Sequence, residues 1–99
     1  MAQVIVQGVF VVNPGDRERF IEASTEGMRS SRAEDGCLEY VFASDPLEPG
    51  RVVLSERWES MDLLRRHLDG QASRPAADRP EPVSAEIVIY EVTSATKLT

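Results

Sequence analysis

From Gln3 to Val12 the chain is β-branched or apolar almost without a break, the pattern of a strand whose two faces both avoid water. Asn13-Pro14-Gly15-Asp16 interrupts it with a candidate helix cap, Asn13, and a proline suited to the first helical turn. A helix is predicted over 14–32, because Phe20, Ala23, Ser24, Gly27, Met28 and Ser31 recur at three- and four-residue spacing, and these residues are mostly small. Glu34-Asp35-Gly36 stops the helix. Alternation over 37–44 then predicts a strand with Leu38, Tyr40 and Phe42 on one face.

Asp45 to Gly50 holds two prolines and a glycine and reads as a hairpin turn, followed by a strand over 51–59. In that strand Val52, Leu54, Glu56 and Trp58 share one face. Ser60 is placed to cap a second helix over 61–69, with Met61, Leu64 and Leu68 as its apolar stripe and His67 at the stripe's edge. Prolines at 75, 80 and 82 make 70–84 irregular, a loop or a lid, and a last strand is predicted over 86–93.

The order β-α-β-β-α-β over residues 1–99 predicts one α+β domain, the ferredoxin-like plait: a four-stranded antiparallel sheet with both helices on one face. The first and last strands are nevertheless apolar on both sides, so the helix-free face needs a cover. A second copy of the same sheet is the economical one, and a homodimer by sheet packing is expected.

Composition removes several function classes. A formal net charge of -6 opposes a phosphate backbone, so no nucleic-acid partner is expected. No apolar run approaches the ~20 residues of a membrane span, and Met1-Ala2-Gln3 lacks a basic leader, so a cytoplasmic protein with no membrane partner is expected. The single cysteine, Cys37, excludes an internal disulfide and reads as a structural thiol. The plait also hosts acylphosphatases, but the loop before the first helix lacks the required arginine.

Candidate chemistry gathers where the only tryptophan and only histidine flank one strand-to-helix junction. Trp58 suits an aromatic wall or plain core packing. His67 suits a proton acceptor or a solvent-facing cation near its helix end. Glu56 neighbours Trp58 on its face and suits either an orienting carboxylate or a structural ion pair.

Gly36-Cys37-Leu38-Glu39-Tyr40, then Val53-Leu54-Ser55-Glu56-Arg57-Trp58-Glu59-Ser60, then Leu64 and His67, resemble the antibiotic biosynthesis monooxygenase family across roughly residues 3–93. The resemblance implies a dimeric α/β barrel and a monooxygenase that uses no metal, flavin or other cofactor, acting on a small aromatic quinol or phenol with molecular oxygen. It implies catalytic roles for His67 and Trp58, and a substrate pocket that includes Trp58, Glu56, Leu54 and Leu64. Phenol-oxidising members pair the tryptophan with an amide; here Val52 and Leu54 occupy that face, and Gln7 on the first strand is the expected substitute. A related heme-degrading branch uses a histidine after the second helix, which residues 72–79 do not supply. The alternative function is a non-catalytic barrel that binds a small apolar molecule or serves as an auxiliary protein.

Overall fold

The computed structural model describes residues 3–99; Met1 and Ala2, read above for a leader, lie outside the described residues. Four strands, β1 (Val4–Val11), β2 (Cys37–Ser44), β3 (Arg51–Trp58) and β4 (Ser84–Glu91), alternate with two helices, α1 (Arg17–Arg32) and α2 (Met61–Ala72). The antiparallel sheet has the order β2-β3-β1-β4, which is the ferredoxin-like plait. Among the described residues no helix is long and apolar enough to cross a membrane.

Strand parity decides which side chains enter the core. Val4, Val6 and Phe10 of β1, with Val12 just beyond it, meet Val52, Leu54 and Trp58 of β3 and Tyr40 and Phe42 of β2 beneath the helices. Phe20 and Met28 from α1 and Leu64 from α2 close this layer. Phe10, Phe20 and Phe42 form its centre, with ring centroids 5.4 to 6.1 Å apart.

Five local details differ from the sequence expectation. Asn13 makes no side-chain cap; a 3-10 turn at Pro14–Asp16 leads into α1, with the Asp16 amide donating to the Asn13 carbonyl at 2.8 Å. Leu38 is not on the core face: a register shift between Cys37 and Glu39 makes it the extra residue of a bulge, and it is 39% exposed. The second helix passes through Gly70 to Ala72, and β4 starts two residues early at Ser84. His67 lies at the centre of α2's buried face, and Leu68, expected there, is largely exposed. Ser60 does cap α2, accepting the Leu63 amide at 3.2 Å.

The two faces of the sheet are unlike. On the helix-free face Ile5, Val9, Val41, Val53 and Val88 are half-buried, Tyr90 is exposed, and Gln7 and Ser55 sit opposite each other among them. On the helix face α1 and α2 leave β4 uncovered. Ile87 and Ile89 therefore remain exposed although they pair with the buried part of β1.

Candidate active site

Between the sheet and the helices lies a cavity of about 710 Å³. It exists because the α1 residues above it, Ala23, Ser24 and Gly27, are too small to reach the sheet. Phe10, Phe42 and Leu54 form its apolar floor, Ile87 and Ile89 its rim along β4, and the segment from Arg74 to Pro82 its far wall. Its polar groups are Glu56, Tyr40, Gln71, Arg74, Arg79 and Glu81, with the Ser24 hydroxyl.

Glu56 is the buried carboxyl of that wall, only 6% exposed, beside Tyr40 at 5%. The alternation of β3 puts Trp58 on the same face two residues on, and its indole N–H donates to Glu56 Oε1 at 2.9 Å. Burial pushes the Glu56 carboxyl above its ordinary value; the Trp58 hydrogen bond and the nearby His67 pull it back, and Glu34 pushes it up again. Tyr40 faces Glu56 across the β2–β3 ladder, and its hydroxyl accepts from Gln71 Nε2 at 3.4 Å. Burial and the Glu56 charge hold that phenol above its usual value.

Trp58 and His67 are brought together, with ring centroids 4.6 Å apart, and Tyr40 stands 5.5 Å from His67 on another side. Both lie behind the cavity wall: Trp58 is 0% and His67 2% exposed, and neither lines the cavity. The solvent-facing alternative for His67 is thereby corrected. His67 Nδ1–H donates to Glu34 Oε2 at 2.7 Å, and its other ring nitrogen, Nε2, is buried with no partner.

The loop that delivers Glu34 needs glycine. Gly36 has φ 81°, and a Cβ there would come 2.9 Å from Leu63 Cβ, so only a bare backbone lets the turn press against α2. The Glu59 amide donates to the Gly36 carbonyl at 2.9 Å and ties the turn to the start of α2.

Of the other expected pocket residues, Leu54 and Leu64 line the cavity. Gln7 does not. As an odd-numbered residue of β1 it points with Ile5 and Val9 to the helix-free face, where it is exposed, and the amide beside Tyr40 comes from Gln71. Gln71 follows His67 by four residues, one helical turn, so the sequence carried a signal for it. Glu34 and Arg79 carried none: one is a turn residue remote in sequence from His67, the other lies in the proline-rich irregular segment. Among the described residues no three His, Cys, Asp or Glu side chains gather as a metal-binding group.

Comparison with known proteins follows the same outline. Residues 3–79 match the sequence family described as antibiotic biosynthesis monooxygenase. An uncharacterized protein of Synechocystis is 29% identical over 92 residues, covering 90% of this chain, and the chain spans 63% of that relative's length. A crystal structure from Deinococcus radiodurans, provisionally assigned as an antibiotic biosynthesis monooxygenase, superposes with a TM-score of 0.76 at 19% identity, over 97% of this chain and 98% of the other. A Shewanella oneidensis protein superposes at 0.75 with 22% identity, over 92% and 91%. At these identities the superpositions show the fold alone.

Proposed function

The chain belongs to the antibiotic biosynthesis monooxygenase family, and on that premise we propose that it oxidises a small quinol or phenol with molecular oxygen, without a cofactor, using Glu56 as the proton acceptor. The observation that carries this reading is a carboxyl in the wall of an apolar cavity, raised by burial and held by an indole N–H.

The chemistry asks little more of the protein. Glu56 takes the phenolic proton, and the phenolate, held in a largely apolar cavity, transfers an electron to oxygen. Recombination forms a C–O bond at the para carbon as a hydroperoxide. Loss of the hydrogen on that carbon and cleavage of the O–O bond give a quinone and one water. One oxygen atom enters the product, the other leaves as water, and the substrate supplies all four electrons.

His67, which the family resemblance made catalytic, acts here as a positioning residue. With Glu34 fixing its Nδ1–H and Trp58 against its ring, it holds the indole that holds Glu56. Purified protein supplied with naphthoquinols and polycyclic phenols is expected to consume oxygen, and Glu56→Gln to slow this by about 10²- to 10⁴-fold with the fold intact. No oxygen uptake across such a panel would end the oxygenase reading. A second reading, a barrel that binds an aromatic molecule without turnover, is favoured by the burial of Trp58 and His67 away from the cavity; tight ligand binding without product would establish it.

The helix-free face supports a homodimer by sheet packing. Ile5, Val9, Val41, Val53 and Val88 offer an apolar patch that is its own complement about a two-fold axis. Sedimentation at micromolar concentration is expected to give a dimer, and Val53→Asp a monomer; a wild-type monomer would refute this packing.

A further inference from the structure

Two arginines of the cavity wall are anchored without being neutralised. The Arg79 guanidinium lies over the Phe20 ring at 4.5 Å, with Phe10 and Phe42 at 5.7 and 5.9 Å, and its NH1 donates to Ser24 Oγ at 3.2 Å. Arg74 donates to Ser30 Oγ at 3.3 Å. Among the described residues neither has a carboxylate within 4 Å; the same holds for Arg17, Arg32, Arg57 and Arg66, but those four do not line the cavity. The chain carries a charge of -6 and the cavity itself holds Glu56 and Glu81, yet neither carboxyl pairs with the two arginines within 4 Å.

The two anchor points lie on one helix. Ser24 and Ser30 are six residues apart on α1, roughly 9 Å along the axis, and Gly27 stands midway between them. Gly27 lines the cavity, and a Cβ built on it would meet nothing within 4 Å. The space over Gly27 is therefore open where any other residue would begin to fill it. A planar oxyanion seated there would accept from both forks at ordinary charge-assisted distances of about 2.7–2.9 Å.

We propose that Arg74 and Arg79 form a two-guanidinium seat over Gly27 for the carboxylate of a cavity ligand, so that the molecule bound is an aromatic acid rather than a neutral phenol. Its ring body would lie on Phe10, Phe42 and Leu54. The proposal deepens the oxygenase reading by naming a second functional group on its substrate, one separate from the hydroxyl that faces Glu56.

The test is calorimetric titration at low salt with three probes of one ring system, each with a C–H para to its hydroxyl: 5-hydroxy-1-naphthoate, its neutral carboxamide and 1-naphthol. The acid is expected to bind about tenfold or more tightly than either neutral probe. Arg79→Gln and Arg74→Gln should each remove most of that preference while circular dichroism stays unchanged. Gly27→Asp, which builds a carboxylate into the seat, should abolish it, and the isosteric Gly27→Asn, which takes up the same space without the charge, should lower it less. Equal binding of the three probes, no binding by any of them, or equal losses for Gly27→Asp and Gly27→Asn would overturn the seat. Oxygen uptake measured alongside separates the two ideas: an acid that binds preferentially but is not oxidised keeps the seat and refutes the oxygenase reading, and oxidation with no preference for the acid does the reverse.

Discussion

The layer beneath the helices has two ends built on opposite terms. At one end Phe10, Phe20 and Phe42 bury rings against rings and ask only for area and shape. At the other, Trp58, His67 and Glu56 bury three polar groups whose hydrogen bonds have to be found inside the protein, with half-buried Glu34 as one of the partners. The aromatic end is complete as it stands. The polar end is not: His67 Nε2 has no partner, and Glu56 is held above its ordinary protonation range. A core that only needed to fold would be better served by hydrocarbon at both ends, so the unsatisfied end is where chemistry is sought.

The contrast can be broken first at its aromatic end. Phe20 is 0% exposed, and Phe20→Ala should cost about 3–5 kcal/mol of stability in urea denaturation, because the ring is lost together with its contacts to two other rings and the Arg79 guanidinium. A loss below about 1 kcal/mol would mean that the cavity above collapses to fill the gap. At the polar end Trp58→Phe keeps an aromatic body and deletes the donor to Glu56, leaving that carboxyl short of a bond; about 1–3 kcal/mol is expected. Since the donor favours the charged form, its loss should also move the Glu56 titration further upward, visible as a shift of the pH–rate profile to higher pH.

The smallest effect carries the sharpest sign. A carboxyl whose folded pKa is raised contributes stability at pH values below its unfolded pKa, and that contribution is lost as pH rises through the folded value. Glutamine imitates the protonated acid, so Glu56→Gln should melt like the wild type near pH 4 and above it at pH 8, even as oxygen uptake falls. A variant less stable than the wild type at pH 8 would show that the charged carboxylate is welcome where it is, and would remove the case for Glu56 as a base.

Much of the site was legible because it is local. The adjacency of Glu56 and Trp58 follows from the two-residue repeat of a strand, and the cap at Ser60 and the placement of Leu64 follow from helical spacing. The same parity that places Glu56 in the cavity excludes Gln7, which shares its face with Ile5 and Val9. The bulge at Leu38 was hidden because alternation read across it assigns every later residue correctly while misplacing the one extra residue. Nothing in the spacing of α2 shows whether His67 or Leu68 is the better buried, since both adjoin Leu64 on the helix surface.

By itself, then, the sequence determined the order of strands and helices, the faces of β1 and β3, and the small-residue face of α1. These depend on repeats of two and 3.6 residues, and such repeats are fixed by backbone geometry within each element. The tertiary structure alone decided that the imidazole is held by Glu34 behind the cavity, that Glu56 rather than His67 faces a ligand, and that two arginines from an irregular loop come to rest on α1. Those relations join residues far apart in the chain, and they depend on how the helices settle on the sheet.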